Sequence, residues 1–194
     1  MRRRRRFPQE NFEDSVMILN KSAAAAISPT LYADFRAVAE RLFASERSEH
    51  TLQPTAVVNE ACLRLLSSGL PVVPREQQLA LAARVFRQVL VDHARARDAL
   101  KRGGGALKLD VDHLDLVEPG TFIDVGAIQQ AMEKLRDLSE RQAEVVTMRT
   151  YAGMTIDQIA RVLGVSTRTV EGDWAVARAW LRRELVRLGA AERS

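Results

Sequence analysis

From Pro29 onward the apolar positions of the chain recur with the three-to-four-residue period of a helix, and the places where that period stops divide it into segments. Leu31, Phe35, Val38, Leu42 and Phe43 predict an amphipathic helix over 29–44. Val57, Val58, Ala61, Cys62 and Leu65 predict a second over 55–66, with Asn59, Glu60 and Arg64 on its outer side. The stretch SSGLPVVP at 67–74 holds too much Gly and Pro for helix and predicts a loop. Beyond it Leu79, Ala82, Ala83, Phe86, Val89, Leu90 and Ala94 stripe a long helix over 75–102. The opposite side of that helix carries Arg84, Arg87, Arg95, Arg97, Lys101 and Arg102, and three glycines at 103–105 end it.

The segment 103–124 lacks a helical period and is acidic, with Asp110, Asp112, Asp115, Glu118 and Asp124, so it predicts a linker between two small domains. Periodicity resumes near Val125, with Ile128, Met132, Leu135 and Leu138 on one stripe. Ser139 and Gln142 are spaced as a capping box, and Ala143, Val146 and Met148 lead to Tyr151. The run TIDQIARVLGVSTRTVEGDWAVARAWLRR at 155–183 then reads as two helices meeting at a tight turn. Thr155 and Gln158 form a second capping box, and Ile156, Ile159, Ala160 and Leu163 make an apolar stripe. Gly164 can take the left-handed conformation at the turn, Val165 can plug the angle, and Ser166 can cap the next helix. Val170, Trp174, Ala177 and Leu181 continue the inner side. This is the spacing of a helix-turn-helix, whose second helix enters the DNA major groove. Thr167, Arg168, Thr169, Glu171, Gly172, Asp173, Ala175 and Arg178 are then expected on or beside the DNA-facing side, although an ordinary helical hairpin carries the same caps and stripes.

The expected fold is therefore all-α, with a basic arm at 1–28, helical domains at 29–102 and 125–188, a linker at 103–124 and a tail at 189–194. With 194 residues, 46% of them hydrophobic, the chain can bury a proper core. The formal charge of +4 permits a polyanionic partner, and the arginines that begin early in the long helix suggest a phosphate-tracking surface. The run Arg2 to Arg6 reads either as a disordered arm adding phosphate affinity or as sequence ahead of a true start at Met17. Glu10, Glu13, Asp14 and Lys21 interrupt what an export signal would need as its apolar region. Cys62 is the only cysteine and reads as a packed apolar residue. His50, His93 and His113 lie in separate segments without metal-ligand spacing, and the triple glycine lacks the following Lys-Ser or Lys-Thr of a phosphate loop. These readings predict no metal, no cofactor and no catalysis, and no run approaches the roughly 20 apolar residues of a membrane span.

Three stretches in order, HTLQPTAVVNEACLRLL at 50–66, VFRQVLVDHARARDALKRGGG at 85–105 and LSERQAEVVTMRTYAGMTIDQIARVLGVSTRTVEGDWAVARAWLRREL at 138–185, give the chain a specific resemblance to the extracytoplasmic-function sigma factors of bacterial RNA polymerase. The resemblance spans about 29–186. It implies that 29–102 is similar to region 2, which binds the polymerase clamp and opens the minus-ten element, and 125–186 to region 4, which docks on the flap and reads the minus-thirty-five element. Asn59, Glu60 and Arg64 match the clamp-binding helix. The 67–74 loop with Arg84, Arg87 and Arg95 matches the part that captures the melted non-template strand, and the acidic linker would thread the polymerase channel. Implied partners are core polymerase, promoter DNA both duplex and melted, and an anti-sigma factor, all in the cytoplasm. The chain departs from the family where Glu171, Gly172 and Ala175 stand in place of usual cations, where Cys62 replaces an aromatic, and in the poor match before Pro29. Rival readings are a stand-alone helix-turn-helix regulator and a decayed sigma-like chain that binds polymerase without initiating.

Overall fold

The computed structural model describes residues 29–42, 54–68, 73–100, 108–110, 121–188 and 191–193. Helix α1, Pro29–Leu42, starts on a proline, whose fixed φ suits the first helical position, and buries Leu31, Phe35, Val38, Ala39 and Leu42. Helix α2, Pro54–Ser67, starts the same way and buries Val57, Val58, Ala61, Cys62 and Leu65 against it. Helix α3, Arg75–Leu100, opens with the Pro74 carbonyl accepting from the Gln77 and Gln78 amides, and packs on α2 through the expected stripe from Leu79 to Ala94. Burial pushes the Cys62 thiol up to about 11, as expected of a packed residue rather than a nucleophile.

The second half is built on caps. Asp124 accepts from the Gly126 amide to start α4, Val125–Leu138, and Ser139 accepts from the Gln142 amide to start α5, Glu140–Ala152. At Thr155 both bonds of the capping box form, opening α6, Ile156–Leu163. Ser166 starts α7, Thr167–Arg187, by accepting from the Thr169 amide. Each cap satisfies a backbone donor that a helix start leaves open.

The fold is all-α as expected, with one addition. Strands β1, Lys108–Asp110, β2, Thr121–Asp124, and β3, Ala191–Arg193, form a small antiparallel sheet in the order β1-β2-β3. Lys108 lies opposite Asp124 on one side of β2, and Thr121 opposite Arg193 on the other. The segment expected as a structureless linker thus holds two strands among its described residues, and the expected tail supplies the third. Leu109 and Ile123 are fully buried, and β2 runs directly into α4. The expected arm at 1–28, Phe43 and residues 69–72 of the 67–74 loop lie outside the described residues.

Helix α3 also packs against α4, α5 and α6, and α1 touches α5, so a single hydrophobic cluster runs from Leu31 to Leu185. Phe35 and Phe86 are wholly buried in it. Truncating either to alanine would remove contacts worth about 3–5 kcal/mol. Among the described residues no helix is long and apolar enough to cross a membrane.

Candidate nucleic-acid interface

The α6–α7 pair has the turn that the sequence predicts. Gly164 sits at φ 65°, ψ 32°, and the Val165 amide donates to the Ala160 carbonyl, closing α6 while the chain swings toward Ser166. A side chain at Gly164 would meet nothing within 4 Å, so the glycine is there for its backbone conformation and not for space. Ile159, Ala160, Val170 and Ala177 are buried between the helices and their support, with Val165 half-buried in the angle.

On the other side of α7, Thr167, Arg168, Glu171, Gly172 and Ala175 are exposed, and Thr169 and Arg178 are half-buried. The Thr169 hydroxyl lies 2.8 Å from the Ser166 hydroxyl. Thr167 and Arg168 occupy the first turn of a helix 21 residues long, where unpaired amides and the helix dipole favour an anion. A side chain added at Gly172 would also meet open space, so no packing within the chain calls for a glycine there. The outward face is therefore small and uncrowded near its middle, with one cation at its start.

Asp173 does not belong to that face. The sequence suggests a carboxylate beside Glu171 that repels phosphate, but Asp173 is 7% exposed and points inward. Arg141 at the start of α5 holds it, Nε to Oδ2 at 2.5 Å and Nη2 to Oδ1 at 3.2 Å. The next residue, Trp174, lies under the Arg149 guanidinium, 5.4 Å from ring centre to Cζ, and Arg149 Nη1 donates to the Met154 carbonyl at 2.9 Å. Near the far end of α7, Glu184 accepts from Lys134 of α4 at 2.8 Å and from Arg187 at 2.6 Å. Arg187 and Lys134 hold the Glu184 carboxyl down to about 2. Helices α4 and α5 thus grip α7 at three places, by contacts between residues far apart in sequence. Position 173, three residues after Val170 and four before Ala177, is itself a legible signal for the inner side.

The basic side of α3 is not open along its length. Arg84 pairs with Glu144 of α5 at 2.9 Å. Arg87 is half-buried, donates from Nη1 to Gln129 of α4 at 2.6 Å, and has its Nε buried with no protein partner. Desolvation lowers the Arg87 pKa, the mark of a cation drawn into an interface. Arg95 remains exposed, at the edge of a groove it shares with Val91, Gln129 and Glu133. The structure therefore does not bring Arg84, Arg87 and Arg95 together on one free surface. Glu76 of α3 reaches Arg161 of α6 at 3.3 Å, a further tie between the halves.

The third group, on α2, is linked internally. Arg64 pairs with Glu60 at 2.5 Å and with Asp92 of α3 at 2.6 Å, His93 Nε2 lies 2.7 Å from the second Glu60 oxygen, and Tyr32 donates to Asn59 at 2.9 Å. Glu60, Arg64 and His93 each keep about a third of the side-chain surface exposed, 35%, 37% and 33%. The arrangement is a polar patch held in shape, which suits a protein partner better than free side chains would.

Residues 14–187 match the family model described as ECF sigma factor. No curated protein and no solved structure matches the chain.

Proposed function

The chain belongs to the ECF sigma factors, a family acting in transcription initiation, and from that premise we propose how its surfaces divide the work. The polar patch of Asn59, Glu60 and Arg64 on α2 binds the clamp of core RNA polymerase. The start of α7 enters the major groove of promoter duplex, with Arg168, Thr167 and Thr169 supplying the base contacts. Arg178, a turn or more further along, is better placed for backbone. The basic side of α3 follows the melted non-template strand. The protein performs no catalysis of its own, requires no cofactor and works in the cytoplasm through polymerase.

The observation that carries this reading is the α6–Gly164–α7 geometry, which presents Thr167 and Arg168 on an exposed helix start inside a chain that matches the family over most of its length. On this reading Arg84 and Arg87 leave their present partners, Glu144 on α5 and Gln129 on α4, when they meet DNA. Flap docking would fall to the 125–188 half.

The experiment is co-elution of the full chain with core polymerase, followed by selection of duplexes from a randomised pool by the complex. The expected result is a stable complex that enriches a discrete sequence. Arg168→Ala should then cost about 1–3 kcal/mol of preference for that sequence, the worth of one bidentate guanine contact. A chain that selects duplexes alone and ignores polymerase would instead be a stand-alone regulator, and the proposal would fail.

A further inference from the structure

A helix that reads base edges has a stringent mechanical requirement. Side chains reach about 6 Å from the axis, so turning the helix by about 20° moves their tips by roughly 2 Å. A hydrogen bond tolerates only a few tenths of an ångström. Apolar attraction is non-directional, whereas a planar fork on a carboxylate has one satisfied geometry.

Helix α7 carries such a fork on its inner side, directly behind the middle of its outward face. Asp173 is buried and follows the exposed Gly172 and Glu171. Arg141 meets both of its oxygens, and Arg149 stacks on Trp174 one residue later. Both arginines come from α5, eight positions apart, or roughly 12 Å along that helix. Two attachments to consecutive residues, which project about 100° apart around the helix, constrain the rotation of α7 about its own axis. Arg141 itself is half exposed and makes no other bond among the described residues, so its evident task is Asp173.

We propose that Arg141 and Asp173 are a positioning pair that sets the rotation of α7, and through it the register in which Arg168, Thr167 and Thr169 meet bases. The proposal rests on the reading of α7 as the promoter-duplex reader. The pair acts through those residues and does not itself touch DNA.

The test uses the full chain bound to core polymerase, with two probes: the duplex that the wild-type complex enriches from a randomised pool, and a scrambled duplex of equal composition. Arg141→Lys keeps the charge and loses the fork; Asp173→Asn keeps the shape and loses the charge. Both should leave affinity for the scrambled duplex unchanged and lower the ratio of enriched to scrambled binding about tenfold, comparable to one base contact. Repeating the selection with the Arg141→Lys complex should yield a relaxed sequence in the half bound by α7. A fall in melting temperature with the wild-type ratio and wild-type sequence retained would mean that the pair only stabilises the fold, and would overturn the proposal. Should Arg141→Lys fail to fold, Asp173→Asn decides on the same two readouts, and loss of folding in both would likewise make the pair structural. If the wild-type complex enriches no sequence at all, the reading of α7 as a DNA reader fails and the pair's role with it.

Discussion

Replacing each of two glycines by alanine should move stability in opposite directions, although the two sit eight residues apart in one motif. Gly172 is the sixth residue of α7, exposed, and a methyl group there would have no neighbour within 4 Å. Glycine in a helix interior is about 1 kcal/mol worse than alanine, mostly because the unfolded chain has more freedom to lose. Gly172→Ala should therefore stabilise the protein by close to that amount, raising Tm by roughly 2–4 °C for a domain of this size. Gly164 also has nothing within 4 Å, but its φ is +65°. Alanine in that conformation costs about 1–2 kcal/mol, offset by about 0.4–1 kcal/mol from the stiffer unfolded chain. The net expectation for Gly164→Ala is a loss of about 1 kcal/mol. Urea titration of both variants should shift the midpoint in opposite senses at constant m, which marks a change in stability and not in the surface exposed. A fall in stability for Gly172→Ala, or shifts of the same sign, would refute the assignment of backbone roles at the turn.

Three further outcomes follow from single side chains. Arg95→Ala, in the polymerase complex, should reduce the salt slope of DNA binding by about one, because Arg95 stays exposed where Arg84 and Arg87 are drawn into contacts with other helices; an unchanged slope would remove it from the DNA path. The Glu184 carboxyl is depressed from 4.5 to about 2 by Arg187 and Lys134, so it binds protons less readily folded than unfolded. Its contribution to stability is complete above pH 4.5 and is lost as pH falls toward 2, and Glu184→Gln should flatten that limb of a denaturation series; an identical acid limb in both proteins would contradict the pairing. Cys62 is fully buried with its thiol raised to about 11, so maleimide should label it only when urea unfolds the chain, and rapid labelling of the native protein would contradict the packing of α2.

Local chemistry is legible in the sequence wherever one side chain answers its own backbone. Thr155 with Gln158, Gly164 and Ser166 each act within a few residues, so spacing alone carries the α6–Gly164–α7 turn and the outward residues of α7. The buried stripes of α1, α2 and α3 are legible for the same reason, since period and burial coincide. What escapes is set by distant partners. Asp173 looks outward by its charge although its spacing from Val170 and Ala177 is that of the inner side, and it is Arg141, 32 residues earlier in the chain, that makes the inward position tolerable. Arg84 and Arg87 look like an open cationic track because Glu144 and Gln129 lie on other helices. The strands at 108–110, 121–124 and 191–193 are too short to show alternation, and their hydrogen bonds exist only through one another.

On the proposed reading, the surfaces described above combine in one role, in which this chain gives core RNA polymerase a promoter it cannot otherwise use. That role is measured by in vitro transcription from a supercoiled template carrying the sequence enriched by the complex, with core polymerase alone and with the chain added. The expected product is a transcript of defined length that requires the chain, starts at one position and disappears when the enriched sequence is scrambled. Polymerase that binds the chain yet makes no such transcript would contradict that role.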